Sequence, residues 1–212
     1  MPQTASLKTQ QTTGFPFSNC PITLVDIGAS GGTHKRWNHL NNLRIVAFEP
    51  DTRSTCPTTA NGHHMIPLHT ALWESSQQRN FYLTTKPTNS SLFCPNQARI
   101  QKHPRPQRFD VSKIESITVD RLDHQLLQHN INCVDFIKLD VQGAELPILK
   151  GAGILLDHQI IGLELEVAFT ELYENQPLFS DIDIFLRDKG FELFDLRRAF
   201  WNYNSHLTVE KQ

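Results

Sequence analysis

Asp26, Glu49 and Asp140 each stand at or near the carboxyl end of an apolar run that reads as a β-strand, over residues 22–27, 44–48 and 134–139. In an open α/β sheet, ligands bind outside the carboxyl ends of the strands, where strand order reverses. The three acids are therefore expected to converge on one crevice. A single such acid is more simply a strand-end cap or turn residue; three at matching ends favour a site. Between the first two lies the glycine-rich turn Gly28-Ala-Ser-Gly-Gly32. Without side chains in the way, the backbone N–H groups of such a turn come close to a ligand. Glu49 follows Gly28 by about 20 residues, the spacing of a ribose-binding carboxylate at the end of a second strand.

The turn also indicates which nucleotide it suits. A dinucleotide fingerprint needs glycine at its first, third and sixth positions. Counted from Gly28, the third is Ser30 and the sixth is Thr33. Asp26 precedes the turn, and a carboxylate there repels a pyrophosphate. It attracts a ligand carrying an ammonium and a sulfonium, because opposite charges close together in a partly dry site gain Coulomb energy. S-adenosylmethionine is such a ligand. An ordinary strand-turn-helix with no ligand is the plain alternative.

These side chains need a scaffold, and 212 residues suffice for one domain with a full core. Strand and helix patterns alternate along the chain, which predicts an α/β fold with a mainly parallel sheet. Residues 1–20 are polar, without periodicity or an apolar run, and read as a flexible N-terminal arm with no signal peptide. Residues 51–60 read as a short helix, 65–69 as a third strand, 81–84 as a short strand and 116–120 as another. A helix is expected over 121–130, with Leu122, Leu126 and Leu127 on one side, and another over 144–150. A buried strand over 160–167 carries Glu164 and Glu166. Ser180-Asp-Ile-Asp183 starts a helix that Gly190 ends, and 191–196 alternates as a strand. Residues 197–212 form a tail, with 206–210 as a candidate edge strand.

Residues 86–108 are the least regular part, with Pro87, Pro95, Pro104 and Pro106 and a basic group of Lys102, His103, Arg105 and Arg108. A solvated loop is the plainer reading and a substrate lid the sharper one. A net charge of -2 with both signs mixed gives no reason to expect nucleic acid or an anionic membrane as a partner. No apolar stretch is long enough for a membrane span. Cys20, Cys56, Cys94 and Cys133 are scattered, with neither metal-ligand spacing nor a disulfide framework, which fits a reducing, cytoplasmic location.

The block Phe136-Ile-Lys-Leu-Asp-Val-Gln-Gly-Ala-Glu-Leu-Pro-Ile-Leu-Lys-Gly151 closely resembles the signature of the FkbM-type family of S-adenosylmethionine-dependent methyltransferases. Four further pieces are similar to the same family in the same order: Val25 to Gly32, Phe48 to Asp51, Asn89 to Leu92 and Thr118 to Leu122. The resemblance runs over about residues 22–196. The glycine turn is shared by many nucleotide folds, whereas the block from Lys138 to Gly151 is far more specific. Many relatives have asparagine where Ser30 stands, and many run on past the point where this chain ends.

The resemblance implies a Rossmann-like sheet with helices on both faces in a single methyltransferase domain, residues 21–196. It also implies bound S-adenosyl-L-methionine and O-methylation of a hydroxyl on a sugar, glycan or natural product. Carried over by motif position, Asp26, Gly28, Ala29, Ser30, Gly31, Glu49, Pro50, Ala71, Leu72 and Asp140 are the expected cofactor residues. Asp140 is expected between cofactor and acceptor. Methyl transfer to an alcohol is helped by a base; Asp140 is the first candidate and Glu164 the second. A divalent metal held by Asp140 and nearby acids is compatible with the pattern but not demanded by it. Lys138 reads as a strand residue that either snorkels or pairs with a neighbouring acid, and Glu145 as a helix-start acid. Two competing readings stand beside this one: a cofactor-binding module of the same fold without turnover, and a nicotinamide-dependent oxidoreductase, which the glycine spacing and Asp26 disfavour.

Overall fold

The computed structural model describes residues 21–197 apart from 41, 55–58, 61–62 and 159. The chain opens with β1 (Ile22–Ile27), a 3-10 turn (Lys35–His39) and β2 (Leu43–Phe48). Then come β3 (Thr59–Ala60), β4 (His63–Leu68), β5 (Ala71–Leu72) and β6 (Gln77–Thr84). A segment holding α1 (Gln97–Ile100) leads to β7 (Val111–Asp120) and α2 (Leu122–Gln128). The last part runs β8 (Phe136–Leu139), α3 (Glu145–Lys150), α4 (Leu155–His158), β9 (Gly162–Leu165) and α5 (Phe179–Asp188).

The main sheet has the order β3-β4-β2-β1-β8-β9. β3 pairs antiparallel with β4, and every other neighbouring pair is parallel. From β1 the chain builds outward through β2 and β4, then returns to place β8 and β9 on the other side. The order therefore reverses between β1 and β8, the switch point of a Rossmann-like sheet.

Strand alternation sends side chains to two faces. Val25, Ile27, Val46, Phe48, Ile137 and Leu139 join the larger core with residues of α2, α3 and α5. Leu24, Ile45, Ala47 and Met65 face the other way, where Trp37 from the 3-10 turn and Leu40 just after it cover them. Trp37 meets Phe136 edge-on, with ring centroids 4.9 Å apart.

A second sheet, β5-β7-β6, lies against the larger core. β6 and β7 are longer than their apolar ends predict, and they pair antiparallel on either side of residues 85–110. The intervening segment is ordered by its own small cluster of Ile100, Phe109 and Tyr173.

Several local expectations are corrected. Residues 51–54 form a turn rather than a helix start: Asp51 Oδ1 accepts the Arg53 N–H and the Asp51 carbonyl accepts the Ser54 N–H. Residues 59–60 are β3, and 55–58 lie outside the described residues. Leu127 is 69% exposed, because it sits well off the face shared by Leu122 and Leu126, which are four apart. Residues 191–196 form no strand; alternation alone makes none without a ladder partner, and Phe194 lies on the surface. The expected arm 1–20 and the edge strand 206–210 lie outside the described residues. Cys94 and Cys133 are free thiols; Cys20 and Cys56 also lie outside. Among the described residues no helix is long and apolar enough to cross a membrane.

Candidate active site

The register of the parallel strands aligns Phe48, Ile27, Leu139 and Leu165 side by side. The next residue of each strand continues this row: Glu49, Gly28, Asp140 and Glu166. Backbone hydrogen bonds extend the ladder through it, from Gly28 N–H to the Phe48 carbonyl, Asp140 N–H to Ile27 and Glu166 N–H to Leu139. Three acids thus ring the carboxyl edge of the sheet, with a glycine among them. Gly28 has φ +80°, and a Cβ there would stand 2.0 Å from the Asp140 carbonyl oxygen. The close approach of β1 and β8 at the switch point therefore requires glycine.

A cleft of about 700 Å³, including its open mouth, lies over this edge. Among the expected cofactor residues, Gly28, Ser30, Glu49 and Pro50 line it, with Ala71 and Leu72 from β5 and Asp140 from the end of β8. Asp26, Ala29 and Gly31 do not. Ile27, Phe48, Phe81 and Leu92 give the cleft an apolar wall.

Glu49 is 6% exposed, and its Oε1 accepts the Asp51 N–H at 2.8 Å. Burial pushes its carboxyl up to about 7, partly offset by that hydrogen bond. Next to it, burial opposes ionisation of Asp51, yet hydrogen bonds from Arg53 hold that carboxyl below its ordinary range. Arg53 also donates to the Thr84 carbonyl at 3.0 Å and to Ser90 Oγ at 3.1 Å. Ser91 Oγ donates to the Gln142 carbonyl, and the Asn89 carbonyl accepts the Tyr173 hydroxyl. The Asn89-Ser90-Ser91 triplet therefore pins the 85–110 segment to three elements, and Ser90 and Ser91 reach the cleft wall.

Asp26 is fully buried and lies within β1 rather than after it. Its Oδ1 is 3.0 Å from Lys138 Nζ, the residue beside it in β8. The pair is close without hydrogen-bond alignment, so the attraction is Coulombic. Lys138 Nζ also donates to the Gly28 carbonyl at 3.3 Å and lies 3.8 Å from Asp140 Oδ2. Glu164 sits on the far side of Lys138 in the register and pairs with Arg36 of the 3-10 turn. It does not line the cleft.

The acid that accompanies Asp140 is Glu166. Gln142 Nε2 donates to Asp140 Oδ1 at 3.1 Å and to Glu166 Oε2 at 2.7 Å. Burial, then the charge of Asp140 and a hydrogen bond with it, push the Glu166 carboxyl upward. Glu166 still presents surface to solvent, which screens the repulsion and leaves the direction standing. Glu145 is buried at the start of α3 and accepts the Val141 N–H at 3.0 Å. Burial raises its carboxyl to about 7. Among the described residues no three His, Cys, Asp or Glu side chains are grouped as a metal would need.

Glu166 was legible by the rule that singles out Glu49 and Asp140, an acid directly after a buried strand. Extending the strand to residue 167 hides it. Gln142, Arg53 and Tyr173 leave no such signal, since each acts through partners far away in sequence.

The model of the methyltransferase FkbM domain matches residues 26–193. No curated protein and no solved structure matches the chain.

Proposed function

The chain belongs to the methyltransferase FkbM domain family, and from that premise we propose that it transfers a methyl group from S-adenosyl-L-methionine to a hydroxyl oxygen of a sugar, glycan or natural product. The observation that carries this reading is the cleft over the switch point, with Glu49 and Asp140 on its wall and Gly28 between their strands. When bound, the cofactor supplies a methyl carbon on cationic sulfur, an electrophile that needs no further activation.

The residues present fit that group. The apolar wall of Phe48, Leu72, Phe81 and Leu92 suits a purine ring. Glu49 accepts hydrogen bonds from ribose hydroxyls in this reading. The local charge is acidic, with Lys138 as the cation amid Asp26, Asp140 and Glu166. That balance favours a cationic ligand over a pyrophosphate. Asp26 acts one step back: through Lys138 it fixes the Gly28 carbonyl and the turn.

The chain's main contribution is to hold the acceptor oxygen in line and exclude water. Asp140, on the cleft wall and with its side chain 45% exposed, is the group that takes the hydroxyl proton. The 85–110 segment, pinned over the cleft, supplies acceptor contacts. The acceptor is a small molecule or glycan.

Calorimetric titration with S-adenosylmethionine and S-adenosylhomocysteine, with NAD as a control, tests the proposal. Saturable binding of the first two that is weakened by Glu49→Ala supports it. A folded chain that binds neither, or binds NAD instead, overturns it.

A further inference from the structure

Gln142 has φ +59°, a left-handed conformation that a side-chain-bearing residue seldom adopts. Such a backbone persists where its surroundings over-determine it. Here the surroundings are four hydrogen bonds. Its carbonyl accepts Ser91 Oγ at 2.7 Å, and its side-chain Oε1 accepts the Tyr173 hydroxyl at 3.0 Å. Its Nε2 reaches Asp140 and Glu166 at once. Tyr173 is 1% exposed, and its hydroxyl also lies 2.8 Å from the Asn89 carbonyl oxygen. The single phenol proton is shared between these two oxygens, and it is the two carboxylates, which only accept when ionised, that set Nε2 towards them. Both N–H bonds are then directed at carboxylates.

One amide thus draws two like-charged groups together, Asp140 on the cleft wall and Glu166 outside the cleft lining. Two carboxylates in one site raise the proton affinity of the pair, and the pair rather than either member titrates. Facing it are Glu145 from the start of α3, Lys138 from β8 with Asp26 behind it, and the Tyr173 phenol. The acids oppose a second negative charge and Lys138 partly offsets them.

We propose that Asp140 and Glu166, bridged by Gln142, work as a single proton-accepting unit for the acceptor hydroxyl, with Gln142 and Tyr173 as positioning residues. This rests on the methyltransferase reading of the same cleft. In the step, the acceptor oxygen forms a bond to the methyl carbon while the carbon–sulfur bond breaks. That bond's electron pair goes to sulfur, and the hydroxyl proton passes to the Asp140 carboxylate. Gln142 holds Glu166 beside that carboxylate, so the pair accepts one proton in all.

The test needs no acceptor. Carboxyl carbons of Asp and Glu are labelled in the full chain and titrated by NMR in wild type, Asp140→Asn, Glu166→Gln, Gln142→Met and Tyr173→Phe. S-adenosylhomocysteine binding is measured alongside. Loss of one signal in Glu166→Gln assigns that residue. The expected result is that Glu166 titrates above the other surface Glu residues and that Asp140→Asn moves it down, whereas Gln142→Met, which removes an N–H donor to the ionised carboxylate, moves it up. Tyr173→Phe moves it the same way by less. A Glu166 titration unmoved by Asp140→Asn overturns the pair. Failure of wild type to bind S-adenosylhomocysteine overturns the methyltransferase reading instead, so the two failures are distinct.

Discussion

Lys138 Nζ stands 3.0 Å from Asp26 Oδ1 across neighbouring parallel strands, with the carboxylate fully buried and the lysine side chain 13% exposed. Removing one partner of such a pair leaves an uncompensated buried charge, at a cost of about 3–5 kcal/mol. Asp26→Ala and Lys138→Met are each expected to lower unfolding free energy by that order in urea. The double variant with apolar replacements recovers much of it. Strict additivity of the two losses would contradict the pairing.

Gly28→Ala introduces a Cβ 2.0 Å from the Asp140 carbonyl oxygen at a position with φ +80°. Overpacking and left-handed backbone strain each cost about 1–3 kcal/mol. The variant is expected to lose roughly 3 kcal/mol or more of stability and all measurable cofactor binding. Gly31, with φ +81° but open space where a Cβ would stand, suffers only the backbone strain. Comparison of Gly28→Ala with Gly31→Ala by thermal melting separates the two effects.

Glu49 has its carboxyl raised by burial to about 7. In the proposed site, hydrogen bonds from ribose hydroxyls favour its ionised form, so cofactor binding is expected to release a proton when the pH lies below that value. Affinity for S-adenosylhomocysteine is expected to rise as pH rises towards 7, by up to about tenfold per pH unit, and then to level off. Calorimetry in buffers of differing ionisation enthalpy reads the proton directly. Glu49→Gln is expected to flatten the profile; an unchanged slope would remove Glu49 from the site.

Stability has its own pH window. Glu49 and Glu145 have folded-state values of about 7, raised by burial from 4.5. Between those values the folded chain binds more protons than the unfolded one. Their contribution is fully present below about 4.5 and is lost as pH rises through 7, with a slope of up to about 1.4 kcal/mol per pH unit for each group. Asp51 and Asp120 are shifted the other way, so their contribution is lost only on the acid side, below about 4. The unliganded chain is therefore expected to melt at a lower temperature at about pH 8 than at about pH 5.5. Glu145→Gln is expected to reduce the difference.

Arg53 ties Asp51 to the Thr84 carbonyl and to Ser90. Its side chain is 38% exposed, so solvent screening limits the ion pair itself. Its loss acts through the segment it holds. Arg53→Ala is expected to weaken cofactor binding by about tenfold, the equivalent of one hydrogen bond, and to raise amide exchange over residues 84–91. Lysine recovers the charge but not the fork of donors, so Arg53→Lys is expected to restore little.

The sequence by itself determined the parallel sheet, because buried strands are short apolar runs whose ends carry their own punctuation. It determined the glycine turn for the same local reason, and the ends of β2 and β8 delivered Glu49 and Asp140. The tertiary structure decided which acids meet. Asp26 lies two register rows short of the edge, where its charge meets Lys138. Glu164 turns to Arg36, while Glu166, two residues on, reaches the row of Asp140. Residue types and strand periodicity are local properties, but register is set by hydrogen bonds between strands far apart in the chain. A shift of two rows exchanges an acid at the sheet's edge for one held in an ion pair.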